Sequence, residues 1–423
     1  MLATSAEDLL IRASVLNPID AERWDFHRDG GLLIRDGRIA AVGPIERFAG
    51  TPASRVLELD GLLVPGFVDV HIHWVQHHVR GRFQMDLMEW LREHIWPEEI
   101  GFADPAFARR HAQAFFADLA RAGTTMGMAY SSPHAEALRI AADAAIGDWL
   151  LGNSIMEKSA PEPLCRASPD NAEQVAPLLQ ELGRERYAIT PRFALNCSAE
   201  LMRQLGALAR RERAFVQTHL AESPNEIREV CAAFPEASDY TDIYDRAGLL
   251  TPRTVLGHCI HLSEREYATL AARGAWIAHC PSSNEALDSG LMNLAAVRHH
   301  GIRYALASDV GAGPSHSMLH VMQRFLALHR RAGVPVTPQE ALYGATLAGA
   351  HCLGRGNEAG NFAPGKRADF VLLPKTASTT SPAGWLEELL TGSTAELERR
   401  PLQTWIRGEP VDFAALEAAT EPA

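Results

Sequence analysis

Residues 66–73 read GFVDVHIH, an apolar run that ends in His71 and His73. A glycine followed by bulky and β-branched residues predicts a strand, and residues two apart in a strand face the same side, so both imidazoles can close on one ion. Outward from this stretch, short apolar runs alternate with longer amphipathic helical patterns. The runs are TTMGMAY (124–130), WLLGNSIME (149–157), YAITPRF (187–193), AFVQTHL (214–220), TVLGHCI (254–260), AWIAHC (275–280) and IRYALASD (302–309). Together with the first they make eight strand–helix units, which predict an α/β fold, a (β/α)8 TIM barrel around a parallel sheet.

Three more ligand-type residues end such runs: His219, His258 and Asp309. All five therefore fall at the carboxyl ends of predicted strands, the face on which these barrels carry their chemistry. Neutral imidazoles with one carboxylate suit a borderline ion such as zinc and leave room for a water; the same donors accept iron. Glu222 follows His219 by three residues, and a carboxylate beside such a water is the proton carrier that hydrolysis requires. The pattern predicts a metal-dependent hydrolase in which Asp309 and Glu222 are catalytic.

At 423 residues the chain exceeds the usual single-domain size. LLIRASVL, GGLLIRDGRIAAVG and RVLELDGLLV read as strands ahead of the barrel, with Asp36-Gly37 a hairpin turn. Strand character returns in ADFVLL (368–373) and TWIRGEPV (404–411). The expected organisation is a small β-sandwich domain built from residues 1–64 and 359–423 around a barrel of residues 65–358, with a tail after Phe413. The net charge of −12 argues against nucleic acid or an anionic membrane as partner. Six scattered cysteines without a CxxC pair read as reduced thiols, and no basic-then-apolar leader or 18-residue apolar run occurs, so the expected location is cytoplasmic. The missing cysteine pair also excludes the deaminase fold that uses H-x-E with P-C-x-x-C.

VPGFVDVHIH, TPRF, HLAE, GHCIHLSE, AHCPSSN, SDVGAG and GNFAPGKRADFVLL together resemble the amidohydrolase superfamily, and more narrowly the guanine deaminase family. LMEWL with WPEE, and YTDIYDRAGLL, extend the resemblance over residues 30 to 410. It implies that His71, His73, His219, His258 and Asp309 hold one Zn2+ per chain, that Glu222 is the proton shuttle, and that Gln76, Arg192 and Phe193 recognise a small-molecule purine. It further implies a homodimer and a role in purine catabolism. Relatives with two metals bridge them through a lysine on the fourth strand. The only lysine between His73 and His219 is Lys158, while the fourth strand offers Arg192, which stays protonated, so one metal is expected. Trp74 and the segment MGMAYSSPH depart from the family pattern and are expected to bear on pocket shape, not on the metal.

The expected reaction is hydrolysis of guanine to xanthine and ammonia. The same chemistry on 8-oxoguanine, a pterin, a triazine or an adenosine-type nucleoside is the alternative, and a catalytically silent binding or assembly protein the remaining one. Of the other histidines, His279 reads as core or as a neighbour of the site, His134 as a helix start or a neighbour of the site, His261 as a neighbour of the site, and His77, His78, His299 and His300 as loop or helix surface.

Overall fold

A computed structural model describes residues 8–83, 87–376 and 381–418. The barrel consists of β5 (Phe67–His73), β6 (Thr124–Ser131), β7 (Asp148–Ile155), β8 (Ala188–Pro191), β9 (Phe215–Leu220), β10 (Thr254–His258), β11 (Trp276–His279) and β12 (Arg303–Leu306). Seven others precede or follow it: β1 (Leu9–Pro18), β2 (Trp24–Arg35), β3 (Arg38–Pro44) and β4 (Arg55–Pro65), then β13 (Phe370–Leu373), β14 (Gln403–Ile406) and β15 (Glu409–Pro410). The eight barrel strands are parallel and pair in sequence order. Closure comes from the mouth, where Asp309 N donates to His71 O at 2.9 Å and His73 N to Val310 O at 2.6 Å.

Interior and exterior positions alternate along most barrel strands, as the pleat requires. In β6 Met126 and Met128 join the interior cluster while Ala129 packs under the helices. In β5 Val68 and Val70 join that interior cluster, whereas His71 and His73 point into the mouth and Ile72 packs outward. The strand changes phase by one residue, and its register against β6 shifts between Asp69 and Ile72 accordingly.

The strands outside the barrel form a second sheet, built from both chain ends as expected, in the order β15-β14-β13-β4-β1-β2-β3. Register shifts in β1 between Arg12 and Val15 bend it. Asp36 and Gly37, at φ 50° and 70°, make the predicted turn between β2 and β3. The run 404–411, read as one strand, is a hairpin instead: Arg407 and Gly408 take φ 52° and 80° and turn the chain back. A helix, Phe413–Ala418, begins the tail; residues 419–423 lie outside the described residues.

Ion pairs join the closed end of the barrel to this sheet. Asp148, first residue of β7, accepts from Arg367 at 2.6 Å and from Arg355 at 3.1 Å. Arg355 also binds Glu185 at 2.7 Å. Burial opposes the charge on Asp148, but the two guanidiniums outweigh it and hold the carboxyl below its usual range. Removing one partner of a mostly buried pair strands the other charges. Asp148→Asn is therefore expected to destabilise the fold by about 2–4 kcal/mol and lower the thermal midpoint by at least ~3 °C, with kcat unchanged. A depressed folded pKa means the wild-type advantage is full at neutral pH and disappears as pH falls through the folded value. Equal melting of the two proteins at neutral pH would exclude this clamp.

Candidate metal and active site

His71 and His73 from β5, His219 from β9, and Asp309 just after β12 converge at the barrel mouth. One ligand-type atom from each lies within 4.8 Å of the other three, the only such cluster among the described residues. His73 Nε2 is 3.2 Å from His219 Nε2, and Asp309 Oδ1 is 3.4 Å from Nε2 of both His71 and His73. Both ring nitrogens of His71 are buried without a hydrogen-bond partner. Lone pairs left unpaired at one point in a dry interior fit a cation, since polar groups buried without partners are otherwise costly. Gly257 makes room for the His71 ring: a Cβ there would sit 2.6 Å from His71 Cε1.

His258, predicted as a fifth ligand, stands beside this cluster and not within it. Its Nδ1 pairs with Asn284 Oδ1 at 2.9 Å, which turns Nε2 toward Glu222 at 3.4 Å and Asp309 at 3.8 Å. At the end of β10 His258 and Cys259 take φ 69° and 52°, where the chain leaves strand geometry. Ala221 and Asp309, at φ 52° and 50°, do the same at two other strand ends. Left-handed backbone at non-glycine residues costs on the order of 1–3 kcal/mol each and gathers where a site must be aimed.

Groups beyond the predicted ligands and shuttle hold these side chains. His219 Nδ1 donates to Arg192 O at 2.7 Å, leaving Nε2 as the metal-side donor. Ser283 Oγ donates to Asp309 Oδ2 at 2.6 Å, so two residues of AHCPSSN, Ser283 and Asn284, fix Asp309 and His258. Glu226 accepts from Glu222 N at 2.8 Å, and Ser289 Oγ reaches Glu222 Oε1 at 3.4 Å. Tyr130 stacks on His73 with centroids 4.4 Å apart and meets His71 and His219 edge-on or tilted, both at 4.9 Å. The MGMAYSSPH departure thus lies against the metal-type ligands. Trp74 is fully buried against Phe102, with centroids 4.8 Å apart, and does not line the cavity.

The electrostatics divide the carboxylates. Burial pushes Glu222 up to about 7, a value suited to taking and giving a proton near neutrality. Burial also opposes ionisation of Asp309, but His71 and His258 outweigh it and hold the carboxyl at about 2. Burial lowers His71, His73 and His219, keeping them neutral as ligands must be, whereas Glu222 and Asp309 overcome the same penalty at His258 and raise it.

A cavity opens onto this cluster. Gln76, Arg192 and Phe193 line it, together with Leu87, Trp90 and Leu91 of a helical roof. The roof runs from Leu87 to Ile100 and contains a π-helical turn at Leu91–Ile95. His279 lies in the barrel wall, 2.9 Å from His329, and His261 is tied to Ser289 O at 2.7 Å. His134 bonds Ser132 Oγ at 3.1 Å. His77, expected on the surface, is buried 3.5 Å from Asp118 and faces His316.

Residues 62–411 match the amidohydrolase family. The chain belongs to that family. It is 38% identical over 372 residues to a probable guanine deaminase of Deinococcus radiodurans, covering 83% of this chain and 84% of that protein. It is 35% identical over 383 residues to the guanine deaminase of Escherichia coli, covering 87% and 86%. The solved structure of E. coli guanine deaminase superposes with a TM-score of 0.89 at 32% identity, over 95% of this chain and 99% of that one.

Metal content separates the four-donor cluster from His258. His219→Asn is expected to lose stoichiometric metal, measured by atomic emission, whereas His258→Asn keeps it and loses turnover by about 10²-fold or more. Metal loss in both variants would place His258 in the ligand set after all.

Proposed function

We propose that this protein is a guanine deaminase that hydrolyses guanine to xanthine and ammonia with one zinc ion held by His71, His73, His219 and Asp309. The observation that carries the reading is the meeting, in one cavity, of this donor cluster, the buried Glu222 and the Gln76–Arg192–Phe193 wall. Kinship with guanine deaminases over most of the chain supports the same substrate. One ion, not two, is supported by Lys158, which is exposed with its ammonium over Phe234, away from β8. The homodimeric state implied by the family resemblance, which sedimentation tests, and the cytoplasmic location expected from the sequence belong to the same proposal. No helix among the described residues is long and apolar enough to cross a membrane.

A bound zinc ion would acidify a water beside C2 of the base. Glu222 takes one proton from that water and passes it to ring nitrogen N3, so oxygen adds to C2 without stranding negative charge on the ring. His258 and Asp309 flank the same space and hold the remaining O–H in line. That second proton then moves through the carboxylates to the amino group, the C2–N bond breaks, and ammonia leaves with the C2 carbonyl formed. Arg192 faces O6 as a donor, Gln76 can both give and accept along an edge, and Phe193 supplies an apolar face. A wall of fixed polar partners would reject adenine, whose donors would meet donors.

The ultraviolet change from guanine to xanthine tests the reading directly. Wild-type protein loaded with zinc is expected to convert guanine, chelation to abolish conversion, and Glu222→Gln to lower kcat by roughly 10³-fold with zinc retained. Conversion of another aminated heterocycle, 8-oxoguanine or a pterin, in place of guanine would move the error to the substrate wall. Absence of turnover on every such base would leave a silent binding protein.

A further inference from the structure

Glu99, in the short helix Trp96–Ile100 of the roof, has no exposed surface. Its carboxylate accepts from Arg192 Nη1 at both oxygens, at 2.9 and 3.1 Å, and from Gln76 Nε2 at 2.8 Å. Gln76 Oε1 in turn accepts from Gly311 N at 3.4 Å, two residues beyond Asp309. One carboxylate thus fastens the loops that follow β5, β8 and β12 to the underside of the roof. The neighbouring Glu98 fastens the outer side, to His78 at 3.2 Å and Arg82 at 3.1 Å. Arg192 spends only Nη1 on this contact; among the described residues Nε and Nη2 have no hydrogen-bond partner, and Arg192 lines the cavity.

Two consequences follow from charge and geometry. A guanidinium has a long, flexible stem, and anchoring one nitrogen fixes where the other two point. A buried guanidinium without a counter-charge would also make the wall an anion site, whereas one neutralised by a buried carboxylate presents hydrogen-bond donors without net charge. We propose that Glu99 is a positioning residue that sets substrate class: it aims Arg192 and Gln76 and cancels the arginine's charge, so that the cavity takes an uncharged purine carrying a ring carbonyl and refuses an anionic one. This rests on the assignment of the cavity to a purine base, and it adds a residue that the sequence motifs left without a role.

The test pairs steady-state kinetics with calorimetric binding on the zinc-loaded protein. The probes are hypoxanthine, neutral at pH 7.5, and urate, which carries a negative charge there. Wild-type protein is expected to bind hypoxanthine in preference to urate. Glu99→Gln keeps the shape and an acceptor but loses the charge; it is expected to raise KM for guanine about ten-fold, change kcat by less than about three-fold, retain zinc and shift the hypoxanthine-to-urate ratio at least ten-fold toward urate. Glu99→Asp restores the charge at a shorter reach, so the neutral preference returns while KM stays raised. If Glu99→Gln does not fold, Glu99→Met, which also removes the charge, is read in its place on the same two measures. An unchanged KM and ligand ratio in the variants would overturn the proposal. So would a rise in KM, equal for Gln and Asp, with no shift toward urate, because that pattern belongs to packing alone. Binding needs no turnover, so a wild-type protein that ignores guanine yet shows the ratio shift would fell the substrate assignment and leave the role of Glu99 standing.

Discussion

Everything at the barrel mouth depends on the seam between its first and last strands. Asp69 in β5 accepts from Ser308 N at 3.1 Å and from His71 N at 3.3 Å, with Ser308 Oγ on its other oxygen. Asp309 N returns a hydrogen bond to His71 O. These contacts close the sheet, and they do so with the residues that flank the metal-type ligands. Closure and donor geometry are therefore one constraint: a barrel that gaped at this seam would separate Asp309 from His71 and His73. The change of phase in β5 belongs to the same constraint, since it swings both histidines inward after two apolar residues have already filled the layer beneath.

The second constraint is the burial of charge. The mouth collects Asp309, Glu222, Glu226, Arg192 and Glu99, all nearly inaccessible, in surroundings that disfavour isolated ions. Each is handled differently. Arg192 and Glu99 cancel one another at close range. Asp309 is held as an anion by imidazoles and by Ser283, as a ligand must be. Among the described residues the basic partner of Glu222 is His258, at 3.4 Å, and burial lifts the carboxyl toward neutrality, where a shuttle works. One low-dielectric pocket thus yields a permanent anion and a titrating carboxyl a few residues apart in space, and the difference lies in their hydrogen-bond partners.

Much of this was legible in the chain because it is local. All eight barrel strands were readable from short apolar runs, with the observed ends differing by a few residues. A histidine at the end of such a run needs no long-range information to be placed at the mouth. What failed required backbone or distance. Asn284, 26 residues away, holds His258 Nδ1 and turns the other ring nitrogen toward Glu222, which a strand-end position does not reveal. Arg407-Gly408 turned a strand into a hairpin, which its R-G pair could have suggested. His77 was buried by Asp118 and His316, far away in sequence. Glu99 stood in WPEE, a segment that matched the family pattern, yet its partners are 23 and 93 residues distant.

The division has a physical reason that bears on how such sites change. Metal donors sit on strand ends, where the barrel fixes them, and they can hardly move without opening the seam. Gln76 and Arg192, which line the cavity, are fastened instead to a helical roof whose π-turn and short segments pack over the mouth. A roof can exchange Trp90 or Leu91 without touching β5 or β12, so the same donor cluster can serve other rings under another roof. On the proposed role of Glu99, selectivity in this chain resides less in the zinc-type cluster than in whether a buried carboxylate stands behind Arg192. With it the wall is a set of aimed, uncharged donors; without it the same arginine would be a lone cation in an apolar cleft and would draw anions.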